Sequence, residues 1–495
     1  MSIGTTPAGP GTDRRGRAWG LLLAAALALA ACAPAPPADL AERRVAFAGP
    51  LPPMKRFAGT GAAPTLRSNR EIAADFLELS FEMESGRRLP VLSRFEGPVR
   101  VGLREPADAS LQRDLAALLA RLRTEAGIDI ARAGAGEEAN IVVEVLPRRD
   151  LQRLVPQAAC FVVPRVSSWA EFRRTRRSRA VDWTTLTTRT RAAVFLPGDV
   201  SPQEARDCLH EEIAQALGPL NDLYRLPDSV FNDDNFHTVL TGFDMLMLRI
   251  TYDPALQSGL SRAEVASRLP GILARLNPRG QGVPGQRPEP TPRAWIEAIE
   301  TALGPRAGPE ERRAAAGATP SPAHVVPPEE RRAAAKRAVA IAERRRWRDT
   351  RRAFSLYALG RLSLGAEPEL ALASFLEAAA IYRARPDTRI QSAHVAMQLA
   401  AFSLSAGQLD GAIALVEESL PPVAEAENAA LLATLLLIKA EALEARGAAG
   451  RAATVREDAL GWARYGFGAE AVVRARAAEI AALAGPRLAP GRPQG

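Results

Sequence analysis

Hydrophobic positions fall into two regimes along the 495-residue chain. Up to about residue 270, short apolar runs alternate with helical stripes. Beyond residue 329 only helical spacing remains. In the first regime, residues 98–103 (PVRVGL), 139–146 (ANIVVEVL) and 191–196 (RAAVFL) read as strands. Leu111, Leu115, Leu118, Leu119 and Leu122 line one face of a helix between the first two. A second helix is predicted over 202–217. Ser201 stands at its N-cap, Pro202 at its first position and Glu204 at the capping-box position. Leu209, Ile213, Ala216 and Leu217 form its buried stripe, and Gly218 suits a left-handed stop. Thr241 with Asp244 makes a capping pair that opens a third helix through Met245, Met247 and Ile250.

The second regime follows a stretch rich in Pro, Gly and Ala over 276–328, which reads as a linker with one short helix at 291–303. From 329 to 485 the chain is alanine- and leucine-rich helix. Gly365, Gly407 and Gly447 recur about every 40 residues, each between two helical patterns. Ala412 and Ala452 follow their glycines by five residues, Ala371 follows with one insertion, and Ala400 and Ala440 precede theirs by seven. Small residues at such recurring positions let paired helices pack closely, and the pattern resembles a degenerate tetratricopeptide array. That resemblance implies a binding surface for a partner protein. A non-repeat bundle is the alternative.

The N-terminus changes the setting. Arg14, Arg15 and Arg17 precede an apolar run ending at Ala31, then Cys32. This is a signal-peptide layout over 1–31, too short for a stable membrane span. Leu29-Ala30-Ala31-Cys32 resembles a bacterial lipobox, which implies lipid on Cys32 and anchoring at the periplasmic face of the envelope. Ala33 after the cysteine points, by the same resemblance, to the outer membrane. Residues 32–65 would then be a flexible tether and 486–495 a disordered tail. With Cys32 assigned, Cys160 and Cys208 remain, and an even remainder in an oxidising compartment suggests a disulfide. Two buried free thiols are the alternative.

The formal charge is +8, and arginine far exceeds lysine. Arginine runs at 173–179 and 344–348 would suit nucleic acid in another compartment, but an envelope lipoprotein meets little of it. A solvated face is the plain reading; anionic lipid, lipopolysaccharide or peptidoglycan is the sharper one.

Candidate chemistry centres on residues 211–222, EEIAQALGPLND. Laid over H-E-x-x-H-x-x-G-x-x-H-D, the zinc-binding stretch of metzincin proteases, Gly218 and the general base Glu212 align. The three histidine positions hold Glu211, Gln215 and Asn221, followed by Asp222. The surrounding strands and helices fall in metzincin order, and Phe231 in Ser229-Val230-Phe231 stands where metzincins carry the methionine of their Met-turn. Residues 66 to about 270 resemble more closely a family of proteobacterial lipoproteins with a domain of unknown function. That resemblance rests on Cys208, Glu211-Glu212, Gln215 to Gly218, Asn221-Asp222, Ser229, Phe231 to Asp233, and Tyr252-Asp253-Pro254. One carboxylate and two neutral amides are weak ligands for zinc. No metal, cofactor or catalytic residue is therefore expected, and Glu211, Glu212, Gln215, Asn221 and Asp222 would line a vestigial cleft.

The expectation is an α+β metzincin-like domain over 66–275, followed by an all-α tetratricopeptide-like region over 329–485. Its expected work is non-catalytic binding or scaffolding, with a protein partner on the repeats, the membrane through Cys32, and no nucleic acid. A metal-dependent peptidase using Glu212 as base, and a module binding envelope polymer or lipid, are the alternatives.

Overall fold

The computed structural model describes residues 49–485 apart from positions 60, 62, 66, 105, 157, 286–288 and 305–325. Cys32, the leader and the C-terminal tail lie outside the described residues. The first helix, α1 (Asn69–Phe81), is capped by the Ser68 side chain and buries Ile72, Phe76 and Leu79. The three expected strands form as β1 (Val99–Leu103), β3 (Ile141–Leu146) and β5 (Ala192–Pro197), parallel neighbours in that order. Two short strands that apolar runs did not reveal flank them: β2 (Ile130–Arg132) beside β1, and β4 (Phe161–Pro164) antiparallel beside β5. The sheet order is β2-β1-β3-β5-β4.

Period-2 alternation decides which strand residues meet which layer. Ala192, Val194 and Leu196 of β5 face the main core, with Val99, Val101, Ile141 and Val143 of the neighbouring strands. That core also takes the leucine stripe of α2 (Ala109–Glu125) and the buried face of α5 (Pro202–Leu217). Ala193 and Phe195 face the other way. There they meet Leu151 of α3 (Arg148–Leu154) and Phe172 of α4 (Trp169–Thr175). Phe161, Trp169, Phe172 and Phe195 form a ring cluster with centroids 5.1–6.3 Å apart. A strand buried on both faces reads as a continuous apolar run, as β5 does. The region closes with α6 (Gly242–Thr251) and α7 (Arg262–Leu276), each started by a reciprocal capping box, Thr241 with Asp244 and Ser261 with Glu264.

The rest is helical: α8 (Arg293–Leu303), α9 (Pro328–Arg344), α10 (Thr350–Ser363), α11 (Pro368–Arg383), α12 (Arg389–Ser405), α13 (Leu409–Glu425), α14 (Ala429–Ala445), α15 (Ala449–Phe467) and α16 (Glu470–Leu483). Successive helices pack as neighbours. Ala371, Ala400, Ala412, Ala440 and Ala452, the recurring small residues, are all fully buried. Gly407 and Gly447 take φ of +71° and +78° at the ends of α12 and α14, where a side chain would strain the turn. The helix expected inside the linker, α8, is part of this layer. Its Trp295 is fully buried, and the indole N–H donates to Ser355 Oγ on α10 at 2.9 Å. The helical core therefore begins inside the proline-rich stretch and not after it.

Candidate functional site

Helix α5 starts as its sequence predicts. Ser201 Oγ accepts from the Glu204 N–H at 3.2 Å, while the Glu204 carboxylate turns to pair with Arg148. Its end is built differently from the expectation. Gly218 has φ −164°, so it is not a left-handed stop. Glycine relieves crowding there, since a Cβ would lie 3.0 Å from Thr251 Oγ1 and the threonine would have to give way. The helix terminus is held instead by Arg189, a buried side chain that the sequence pattern did not flag. Its Nη1 donates to the carbonyls of Gln215 and Ala216 at 2.5 and 2.7 Å, and its Nη2 donates to Gly218 O at 2.5 Å. Nε donates to Ser93 Oγ at 3.3 Å, and the guanidinium stacks 4.9 Å from the Trp183 ring centroid. Burial pulls its pKa down to about 10, still charged at neutral pH, so a cation sits on the negative end of the helix. Tyr252 adds its hydroxyl to Leu217 O at 3.1 Å.

The five candidate residues are not brought to one point. Glu211 lines a small cavity of about 50 Å³ with Asp207, Val230, Asp233, Asn235 and His237. Gln215 and Asn221 are buried and are not among those lining residues, and Asn221 Nδ2 donates to Glu78 O at 3.3 Å on α1. Glu212 is buried. Asp222 is held well above the ordinary carboxylate range, by burial first and then by the nearby charges of Glu84, Glu211 and Asp233. Burial likewise raises Asp207. Among the described residues, no group of three or more His, Cys, Asp or Glu side chains is placed to hold a metal ion. One carboxylate and two neutral amides, the donors at the positions where the resemblance implies ligands, are weak ligands for zinc.

His210, one residue before the motif, is committed to structure. Its Nδ1 accepts from the Leu240 N–H at 3.1 Å, and burial drives its pKa well below the usual value, so the ring is neutral. The turn at Ser229–Phe231 is organised by Asp244. Its carboxylate accepts from Ser229 Oγ at 2.5 Å, Val230 N at 3.1 Å and Thr241 N at 2.8 Å. Phe231 fills the core there and is fully buried. A disulfide joins Cys160, just before β4, to Cys208 on α5.

The outward side of α5 and the loop after it are covered by the helical region. Arg206 Nη1 pairs with Glu427 Oε2 at 3.1 Å, and its Nη2 donates to Glu427 O at 2.6 Å and Thr238 Oγ1 at 3.3 Å. Gln203 donates to Asn428 Oδ1 at 3.2 Å and accepts from Ala430 N at 2.9 Å. Gln391 of α12 donates to Pro227 O at 2.6 Å, and Tyr465 of α15 donates to Asp114 Oδ2 of α2 at 2.9 Å. Tyr224 and Phe236, from the loop, are buried in the helical core. Tyr224 lies edge-on to Trp295 at 5.1 Å, and Phe236 sits among Phe354, Tyr357, Tyr382 and His394 at 4.7–6.4 Å. Sequence reasoning missed this junction. Its only trace was two aromatic residues in a polar, proline-bearing loop.

A family model described as "Protein of unknown function (DUF2927)" matches residues 69–271, so a domain of that kind is found over the α+β region. No curated protein and no solved structure matches the chain significantly. No helix among the described residues is long and apolar enough to cross a membrane.

Proposed function

We propose that the protein is a lipid-anchored, periplasmic, non-catalytic binding or scaffold protein. In this reading a metzincin-like domain has become the docking platform for the chain's own tetratricopeptide-like region. The observation that carries it is what surrounds α5. Its polar face and the following loop are bound by the helical region through Gln203, Arg206, Thr238, Tyr224 and Phe236. What remains at Glu211 is a cavity of about 50 Å³, room for a water or two and not for a peptide.

The order of elements supports the metzincin-like part: sheet strands, motif helix, a turn at Ser229–Phe231, then a short closing helix. The 40-residue recurrence of glycine turns and fully buried alanines supports the tetratricopeptide-like part. Helices α10, α12 and α14 take up the α+β region through Phe354, Gln391 and Ala430. A protein partner would then meet the outward faces of the opposite helices, α11 and α13. Lipid on Cys32 would hold the assembly to the outer membrane.

Two measurements test this reading. Purified protein should hold far less than one zinc per chain and cleave no peptide. Stoichiometric zinc, lost on Glu211→Ala together with a peptidase activity, would restore the alternative in which Glu212 is a general base. Cys32→Ala should release the protein from the membrane fraction, and unchanged fractionation and mass would remove the anchor from the account.

A further inference from the structure

The sequence carries two arginine runs, and the fold uses only one of them. In the run at 344–348, Arg345 pairs with Glu289 at 2.7 Å, and Trp347 is buried with its indole N–H on the same carboxylate. In the run at 173–179, Arg173, Arg174, Arg176, Arg177 and Arg179 are all exposed. None of the five makes an ion pair with a described residue. The acids closest in sequence are already engaged: Glu171 with Arg191 at 2.9 Å, and Asp182 with Arg87 at 2.9 Å. Five positive charges within seven residues repel one another, so the fold keeps them together at some cost that a ligand would offset.

They also border a groove. A depression of about 260 Å³ is lined by Arg176 and Arg177 on one side and Arg87 and Asp182 on the other, with Met83 and Trp183 also lining it. Trp183 is held in place from behind by the stacked Arg189. Cations in a mostly polar lining suit charged phosphate headgroups at the surface of a bilayer.

We propose that this basic groove docks on the phosphate headgroups of an anionic phospholipid bilayer. The choice of occupant rests on charge complementarity and on reach. Residues 32 and 49 are separated by 17 chain steps, at most about 60 Å of extended chain, so an anchored body stays near the bilayer. A polybasic patch adds a charge-based contact with anionic headgroups, worth about 1 kcal/mol per Lys or Arg near the surface. The proposal rests on the envelope reading above for its choice of a bilayer, while the groove's own affinity for phosphate headgroups is testable without the lipid.

The test therefore uses residues 33–495, without leader or lipid and with the Cys160–Cys208 disulfide intact. Co-sedimentation with vesicles containing phosphatidylglycerol should be clear at low salt and absent with phosphatidylcholine alone. It should fade as salt shortens the screening length to about 3 Å at 1 M. Arg173, Arg174, Arg176 and Arg177 changed together to Glu should lower vesicle partition more than about a hundredfold. Arg344→Glu with Arg348→Glu, which leaves the groove intact, should lower it little. Circular dichroism should be the same for all three proteins. Equal binding to neutral vesicles, unchanged partition of the quadruple variant, equal loss in the control, or binding of RNA without binding of vesicles would each overturn the proposal.

Discussion

The two halves of the molecule bury themselves in opposite ways. Every residue of the α+β core, from Ile72 to Leu273, comes from the α+β region itself. The helical core is not closed in this sense, because it includes Tyr224 and Phe236 from the loop that follows α5. The difference follows from composition. A sheet with alternating Val, Ile and Leu can be covered on both faces by its own helices. Helices rich in alanine pack closely but bring little bulk, so the aromatic cluster on α10 and α11 is completed by rings lent from outside. One half is a self-sufficient platform, and the other depends on it.

The largest expected effect comes from removing a lent ring. Phe236→Ala should cost about 3–5 kcal/mol. The loss should appear in amide exchange of α10 to α12 and leave the sheet protected. Equal loss of protection in β3 and β5 would break the distinction between the halves. Arg206→Ala should be nearly as costly, about 3 kcal/mol or more, because it leaves Glu427 buried without its ion pair. A melting temperature within a degree of the parent chain's would contradict that.

The disulfide sharpens the comparison from the other side. Cys160 and Cys208 lie 48 residues apart and both belong to the α+β region. Cys160→Ser with Cys208→Ser should destabilise that half by roughly 2–4 kcal/mol. Denaturant unfolding followed separately by sheet and helical probes would show whether the loss is local.

Acid acts through two neutral histidines, His210 buried and His394 half-buried. His394, in the helical region, has its pKa driven down to about 3 by burial, against an unfolded value near 6.5. The unfolded chain therefore binds the proton first. Stability should fall as pH drops from about 6.5 towards 3, by up to ~1.4 kcal/mol per pH unit for this residue. His210 acts in the same direction. Asp234 opposes both: burial lifts its pKa to about 6, so its contribution is greatest below pH 4 and is lost as pH rises through 6. His394→Asn should flatten the acid slope of the helical half, and an unchanged slope would contradict the assignment. Smallest of all, Gly407→Ala should cost about 1 kcal/mol, since its positive φ favours glycine.

Much of the framework was legible because it rests on local pattern. The strands β1, β3 and β5, the leucine face of α2, the start of α5 and the Thr241–Asp244 cap all follow from short-range spacing. The edge strands β2 and β4 did not, since three or four residues are too few to show a period. The mixed five-stranded sheet and the helical second half agree with the expected classes. The site was harder to see. Arg189 reaches Gly218 across 29 residues, Asp244 reaches Ser229 across 15, and Arg206 meets Glu427 across 221, separations at which spacing carries no information. Gly218 shows the same limit: its place at a helix end suggested a left-handed turn, yet what favours glycine there is crowding by the Thr251 side chain.

The claim that one half supports the other is tested most directly by separating them. Residues 67–285 and 289–485 can be produced as two chains and followed by thermal and denaturant unfolding. The account predicts that 67–285 unfolds cooperatively on its own. It predicts that 289–485 alone keeps helix but melts broadly, and regains a sharp transition when the first chain is added. A chain 289–485 that unfolds alone as sharply and at the same temperature as in the whole protein would contradict it.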